Sequence, residues 1–488
     1  MPFRRILHRF LNFLGLWGAL GLAYPSVLGG HEPTNLAQHK NVLLICIDDL
    51  RPELHCYGAA YIHSPNIDGL ARESVRFARH YVQAPTCGAS RFALLTGRYG
   101  SPGNDALFQR AFAMRAGEIV PPSLPQWFRQ HGYTTVAVGK VSHHPGGRGG
   151  PDWDDPQQLE MPESWDRQFS PSGSWLHPRG WMHGLAHGEI RTAASQMDVY
   201  QSEDGDDSIY PDGITVPEAL REIEVLANAG KPFLLACGIL RPHLPFGAPE
   251  VYLTPYLNNP LPPIAHPEKP AGQTTWHASA EFKRYQRWGR DPNLDPEFAD
   301  QVRKHYAACV SYADAQVGKL ISKLKERGLW ENTVIVLWGD HGWHLGEHAV
   351  WGKHTLFEES LHSPLLIRAP DQSHRNQVSN TVVQTVDVFP TLCELTNIPV
   401  PDFVSGRSLV PELTGPVNDT TEMYAISYMS NAQSIRSNRF RLIVHHNGHV
   451  ELYDHSGDGE TKNVSSQYPE IVKRLQTQLE NMLRLPER

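Results

Sequence analysis

Basic residues are in short supply in this chain: 44 lysines and arginines face 52 aspartates and glutamates over 488 residues, a formal net charge of −8. A nucleic-acid binder carries a basic excess on at least one face, so nucleic acid is excluded as the expected partner. Cysteine is scarce as well. The six, Cys46, Cys56, Cys87, Cys237, Cys309 and Cys393, do not cluster. Cys46, Cys237 and Cys309 lie in apolar stretches and read as buried thiols. Beyond the N-terminus no run reaches the roughly 18 consecutive apolar residues of a membrane-spanning helix. No internal repeat is visible, which excludes solenoids and propellers.

The N-terminus differs from the rest. Arg4, Arg5, His8 and Arg9 precede a mostly apolar stretch, 10–23, that ends in small residues. Positive flank, apolar run and small residues read as a signal peptide over 1–30, cleaved between Ala23 and His31. Such a leader implies export, to a periplasmic or extracellular space or a lysosome-type compartment in a eukaryote, with no stable membrane span after cleavage. Without cleavage it would be an anchor holding the domain outside the cytoplasm.

The mature chain alternates short apolar runs with helical patterns. Strands are expected at 41–47, 134–138, 233–237, 333–338 and 365–368, all apolar enough for burial on both faces. Helices are expected at 67–77, 123–131, 216–229 and 296–327. This alternation predicts an α/β domain with a mainly parallel sheet flanked by helices, over 40–415. Two stretches, 146–208 and 258–292, lack any period and read as long surface insertions. From 416 to 488 the pattern changes to a small α+β subdomain. Short antiparallel strands at 423–428, 433–437, 439–445 and 449–453, with a hairpin turn at Asn447-Gly448, precede an amphipathic helix at 468–485.

Three stretches carry chemistry. The first is Pro85-Thr-Cys-Gly-Ala-Ser-Arg-Phe-Ala-Leu-Leu-Thr-Gly-Arg98. Cys87 opens a helical pattern, where free backbone N–H groups favour negative charge, and Arg91 falls one turn on along the same face. By composition alone, a lone cysteine before a helix is usually structural. The second is Asp48-Asp49, directly after the first apolar strand. Adjacent carboxylates there repel unless a hard divalent cation holds them. The third is Gly339-Asp-His-Gly-Trp-His-Leu-Gly-Glu-His348, also after an apolar strand, which offers Asp340 and His341. In open α/β sheets ligands bind outside the carboxyl ends of strands, where both acidic stretches lie.

Cys87-x-Ala89-Ser90-Arg91 followed by Leu95-Thr96-Gly97 closely resembles the sulfatase signature, and Asp340-His-Gly-Trp343 resembles its iduronate-2-sulfatase-like branch. Other elements of that family recur in order: Gly139-Lys140-Val-Ser-His143, Arg241-Pro-His243-Leu-Pro-Phe246 and Trp351-Gly-Lys353. The resemblance covers about 41–480. It implies an alkaline-phosphatase-like fold and hydrolysis of sulfate esters of a sugar, by a nucleophile made when a formylglycine-generating enzyme oxidises Cys87 to formylglycine (3-oxoalanine). It implies one Ca²⁺ held by Asp48, Asp49, residue 87, Asp340 and His341. Arg91, Lys140, His143, His243 and Lys353 would be the remaining catalytic residues. An imidazole is a poor calcium ligand on hardness grounds, so His341 could hydrogen-bond the sulfate instead. The chain departs from that branch after Arg98, reading Tyr99-Gly-Ser-Pro-Gly-Asn-Asp105 where further basic residues are usual, so the exact sugar does not carry over. Two other outcomes stay open at this point: a phosphodiesterase or phosphonate monoester hydrolase of the same superfamily, and a non-catalytic carbohydrate-binding protein. Trp153, Trp165, Trp175, Trp181 and Trp276 could stack on sugar rings or simply pack.

Overall fold

A computed structural model describes residues 39–148, 150–415, 422–457 and 459–484. The leader expected over 1–30 and the domain boundary expected at 416 lie outside the described residues. The main sheet has eight strands: β1 (Asn41–Ile47), β2 (Val75–Phe77), β3 (Thr134–Gly139), β4 (Arg167–Phe169), β5 (Phe233–Ile239), β6 (Thr333–Gly339), β7 (Leu365–Arg368) and β8 (Gln377–Ser379). Their order is β8-β2-β7-β6-β1-β5-β3-β4. Every pairing is parallel except the two made by β7, which runs antiparallel to β6 and β2.

β1 explains why the run at 41–47 is apolar throughout. Side chains of a strand alternate between faces. Leu43, Ile45 and Ile47 enter one core with α1 (Pro65–Arg72), α4 (Asp212–Ala229) and the long α5 (Pro296–Glu326). Val42, Leu44 and Cys46 enter a second core with α2 (Cys87–Thr96), α3 (Leu124–Gln130) and α6 (Val388–Leu395). Helices therefore cover both faces, as a parallel sheet requires. Local signals fix where helices begin. Ser123 caps α3 in a capping box with Gln126, and the Asp295 side chain accepts the Phe298 N–H at 3.0 Å to start α5.

One expected helix is two elements. The pattern at 67–77 breaks at Arg72, and Val75–Phe77 form edge-region strand β2, with Val75 and Phe77 buried and Arg76 only partly so. A period-2 burial pattern over three residues is too short to distinguish from a helix turn in the sequence. The C-terminal strands β9 (Ala425–Tyr428), β10 (Ala432–Arg436), β11 (Phe440–His445) and β12 (Val450–Asp454) form an antiparallel meander. The amphipathic helix α7 (Pro469–Leu483) lays Leu475 and Leu479 onto Ile435, Leu442 and Leu452. Ala84 and Ala89, flanking Cys87, belong to the same apolar cluster. The Tyr428 N–H also donates to Gln83 O at 2.8 Å, so the meander braces the segment leading into α2.

Strand register positions the site. Ile47 of β1 lies opposite Ile239 of β5 and Gly339 of β6, and Gly139 of β3 lies opposite Gly238. The strands end level, so the residues that follow, Asp48, Lys140 and Asp340, leave the sheet side by side. The strand ends are also tied by backbone bonds: Asp48 N–H to Ile239 O at 3.1 Å, Asp340 N–H to Ile47 O at 3.1 Å, and Lys140 N–H to Gly238 O at 3.2 Å. Glycine is needed where β3 and β5 meet. A Cβ at Gly238 would fall 2.1 Å from the Lys140 carbonyl carbon, an unyielding backbone atom. Gly238→Ala is therefore expected to cost about 1–3 kcal/mol by overpacking, read from denaturant unfolding. A stability equal to wild type would contradict this packing.

Candidate active site

Cys87 is the first residue of α2, after an extended Thr86. In the first turn the Gly88 N–H donates to Asn104 Oδ1 at 2.9 Å and the Ser90 N–H to Thr86 O at 2.9 Å. Arg91, one turn on, is fully buried. Its Nε and Nη2 donate to Asp340 Oδ2 at 3.1 and 2.9 Å. Its Nη1 donates to the carbonyls of Lys140 and Val141, and Nη2 lies 3.3 Å from Asp48 Oδ1. One guanidinium thus joins three strand ends, a task for which the planar five-donor fork of arginine is suited.

The carboxylates converge from β1 and β6. Asp49 has a left-handed backbone, φ 58°, which turns its N–H onto Asp340 Oδ1 at 2.9 Å. Lys140 Nζ donates to Asp48 Oδ2. Lys353 Nζ donates to Asp49 Oδ1 at 2.9 Å and to Cys87 Sγ at 3.2 Å. His341 Nε2 stands 3.2 Å from Cys87 Sγ, 3.3 Å from Asp49 Oδ1 and 3.6 Å from Asp340 Oδ1. Its Nδ1 is 3.0 Å from Gly342 O. A carbonyl only accepts, so Nδ1 carries the proton and the Nε2 lone pair faces the acidic group. His243 is held the same way, with Nδ1 against Leu244 O.

Three carboxylates (Asp48, Asp49, Asp340) face three cations (Arg91, Lys140, Lys353) in a dry pocket, and the balance is uneven. Asp48 is held well below the usual carboxylate range: desolvation by burial opposes ionisation, but Lys140 and Arg91 outweigh it. Asp49 is pushed well above that range by burial and by the neighbouring carboxylates, against Lys353. Asp340 is raised to about 7, by burial and then by Asp48. Burial and Asp48 push the Cys87 thiol up, so it is a neutral thiol rather than a thiolate. His143, His243 and His341 are all kept neutral by desolvation, then by the nearby lysines.

The donor set fits a hard cation in part. Ligand atoms of Asp48, Cys87, Asp340 and His341 lie within 4.8 Å of one another, as do those of Asp49, Cys87 and His243. Asp48 Oδ1 and Asp49 Oδ2 are buried without a hydrogen-bond partner, an expensive state that a cation would relieve. Carboxylate oxygens suit calcium. The sulfur of Cys87 does not, whereas an oxygen at the same place would.

Of the residues singled out from the sequence, Asp48, Asp49, Cys87, Arg91, Lys140, His243, Asp340, His341 and Lys353 come together here. His143 sits at the margin: its ring packs on His144 (centroids 4.5 Å) and Trp153 (6.3 Å), and its buried Nδ1 has no partner. Three further residues join the group. Ser90 Oγ donates to Asp340 O, Glu281 Oε1 lies 3.7 Å from Lys353 Nζ, and the His183 ring is 5.5 Å from that of His243. Ser90 lies inside the Cys87 stretch. Glu281 and His183 belong to the aperiodic segments and carried no signal. Those segments are not bare loops: they include short helices at Pro178–Met182 and Ala280–Lys283 and a strand, Tyr200–Glu203, paired with Phe246–Pro249. The described cysteines are all free.

A mainly parallel sheet between helices, with an antiparallel meander and helix at its C-terminus, is the alkaline-phosphatase-like fold. The phosphonate monoester hydrolase of Agrobacterium radiobacter superposes on it with a TM-score of 0.71, at 22% identity, covering 91% of this chain and 95% of that one. Residues 40–398 match the sulfatase family model, and 346–484 match the model of the N-sulphoglucosamine sulphohydrolase C-terminal region. Iduronate 2-sulfatase of Mus musculus is 31% identical over 435 residues, 80% of this chain and 74% of that protein. The Homo sapiens iduronate 2-sulfatase is 32% identical over 424 residues, 79% and 74% of the two chains. The chain belongs to the sulfatase family, and the protein is a sulfuric ester hydrolase.

Removing one member of a buried charge group strands the others. Arg91→Met is expected to destabilise the fold by about 3–5 kcal/mol, because Asp340 and Asp48 lose their shared partner. Chemical denaturation measures this, and a change under about 1 kcal/mol would show that the pairing carries little weight.

Proposed function

We propose that this protein removes sulfate from a sulfated sugar, with Cys87 oxidised to formylglycine as nucleophile and one Ca²⁺ held by Asp48, Asp49, Asp340, His341 and the oxygen of residue 87. The observation that carries this reading is the convergence of three buried carboxylates on Cys87 at the start of a helix. Hydrated formylglycine at residue 87 would supply a hydroxyl nucleophile and a second hydroxyl that lets the aldehyde re-form, and calcium held by those residues would supply stabilisation of negative charge.

The chain's own groups do the rest. With three carboxylates already offset by three cations, a bound divalent ion leaves the pocket net positive, which favours an anionic sulfate over a neutral ester. Lys353 and Lys140 flank the ester's oxygens and stabilise the charge that builds on them. Arg91 holds Asp340 and Asp48 in place and fixes the start of α2. An anionic ester between the two lysines favours the imidazolium of His243. Its Nδ1 is tied to Leu244 O, so the Nε2 proton passes to the leaving oxygen. His143, with an unpartnered Nδ1, receives a proton as sulfate departs. The leader over 1–30 would export the protein, and a formylglycine-generating enzyme would modify it during maturation.

The sugar reading is supported by the iduronate 2-sulfatase relatives and by half-buried Trp153 beside His143. The stretch after Arg98 reaches both the meander and the residue beside Cys87, where Asn104 Oδ1 accepts the Gly88 N–H at 2.9 Å. Tyr99 Oη donates to Gln384, and the Gly100 N–H donates to Tyr428 Oη, so this stretch braces the C-terminal meander. The structural likeness to a phosphonate monoester hydrolase favours one competing reading. Comparison of kcat/KM for an aryl sulfate and an aryl phosphonate decides between them, since a dominant phosphonate rate would displace the sulfatase reading.

Two tests address residue 87 and the cation. Intact active enzyme should carry a peptide about 18 Da lighter than its cysteine form, the mass change of thiol to aldehyde, and Cys87→Ser should lose multiple turnover. Full activity with an unmodified thiol would refute the aldehyde. Independently of activity, Ca²⁺ at about 100 times its Kd should add about 2.7 kcal/mol to unfolding stability. An Asp49→Asn, Asp340→Asn double variant should lose that calcium response. No calcium shift in the unmutated protein would exclude this cation.

A further inference from the structure

A separate set of metal-type ligands lies at the tip of the C-terminal meander. β11 and β12 pair with Ile443 opposite Glu451 and Val444 opposite Val450. The His445 N–H donates to His449 O at 2.9 Å, which closes the hairpin around residues 446–448. Gly448, at φ 88°, supplies the left-handed position of the turn. Side chains alternate between the two faces of a strand, so Ile443, His445, His449, Glu451 and Tyr453 share one face. That face looks towards the catalytic domain, where Ile443 and Tyr453 pack with Phe357 and Tyr81. His445 and Glu451 are buried in it, and His449 is half-buried at its rim.

The three polar side chains converge. His445 Nε2 stands 2.5 Å from Glu451 Oε1, and the two imidazole centroids are 5.3 Å apart. One ligand atom from each of His445, His449 and Glu451 lies within 4.8 Å of the others. Their outward atoms are already held. Glu451 Oε2 accepts the Tyr453 hydroxyl. His449 Nε2 lies 3.0 Å from Gln273 O, and a carbonyl only accepts, so Nε2 carries the proton and Nδ1 keeps its lone pair. An imidazole tied through its far nitrogen to a carbonyl, and a carboxylate tied through its second oxygen to a hydroxyl, are the outer contacts that orient metal ligands. Two imidazoles and one carboxylate make a donor set for zinc, with a fourth position for water. A tetrahedral ion about 2.0–2.2 Å from each ligand spaces the ligand atoms by about 3.4 Å. Side-chain movements of about 1 Å reach that spacing from the separations here.

We propose that His445, His449 and Glu451 bind one divalent transition-metal ion of the zinc class, at a site that clasps the C-terminal hairpin to the 258–292 insertion. The site shares no residue with the carboxylate pocket and rests on no part of the sulfatase reading. Gln273 is the insertion's point of attachment: its carbonyl meets His449, and its Oε1 accepts Asn447 Nδ2 at 3.3 Å. Four residues on, His277 Nε2 donates to Lys353 O. An ion on the hairpin therefore steadies the segment that backs Lys353.

The test is Zn²⁺ binding to the full chain, stripped of metal and kept in excess Ca²⁺, measured by competition with a chromophoric chelator. The unmutated chain should take up zinc stoichiometrically, and Co²⁺ in its place should show the visible absorption of a four-coordinate ion. Cys87→Ala, altered only in the carboxylate pocket, should keep this binding. His449→Gln, which removes a ligand, should lower zinc affinity by at least about 100-fold, and Tyr453→Phe, which removes only the hydroxyl on Glu451, by about 10–100-fold. Without metal, His449→Gln should keep the unfolding midpoint of the unmutated chain, so that only the zinc-induced rise in stability disappears. No stoichiometric zinc, or zinc held equally by His449→Gln, overturns the site and leaves His445 and Glu451 as a simple ion pair. Zinc lost in Cys87→Ala but kept in His449→Gln places the ion in the carboxylate pocket and overturns it as well.

Discussion

Three carboxylates buried at one end of a parallel sheet are the constraint around which this molecule is built. An uncompensated buried charge costs several kcal/mol, so Asp48, Asp49 and Asp340 require cations on every side. Arg91 answers two of them at once through Asp340 Oδ2 and Asp48 Oδ1. Lys140 and Lys353 answer Asp48 and Asp49. Asp48 Oδ1, reached only by the 3.3 Å ion pair and by no hydrogen bond, and Asp49 Oδ2, with no partner, mark where the compensation is incomplete. That imbalance is the feature on which the proposed cation rests.

The remaining architecture serves this charge group. Helices on both faces exclude water from β1, β5 and β6, which raises the strength of every electrostatic contact at their ends. The long α5 closes one side, where Tyr306 Oη donates to Asp49 O at 2.8 Å. The C-terminal meander holds Gln83 and packs on Ala84 and Ala89, fixing the angle at which Cys87 enters the pocket. A subdomain far along the chain thereby governs the position of the residue at the start of α2.

Much of this was legible in the sequence because it is local or motif-bound. The apolar run before Asp48 and the run before Asp340 announced strands buried on both faces, and a carboxylate directly after each had to emerge at a strand end. The breaks in legibility are equally specific. Val75–Phe77 is too short for its period to be told from the helix before it. β7 is as apolar as its parallel neighbours, because burial on both faces does not depend on strand direction. Glu281 and His183 sit in segments with neither period nor motif, so nothing local singled them out.

By itself, the sequence determined the elements, their burial and the chemical identity of the residues at the strand ends. Side-chain period and capping act within a few residues, so these properties survive reading in one dimension. The tertiary structure alone decided the meeting of β1 with β6 in a register that places Asp49 N–H on Asp340 Oδ1 across 291 positions of chain. It alone joined Arg91 to three strand ends. Such contacts are set by strand order and layer packing, which depend on the whole chain collapsing at once rather than on any segment's own preference.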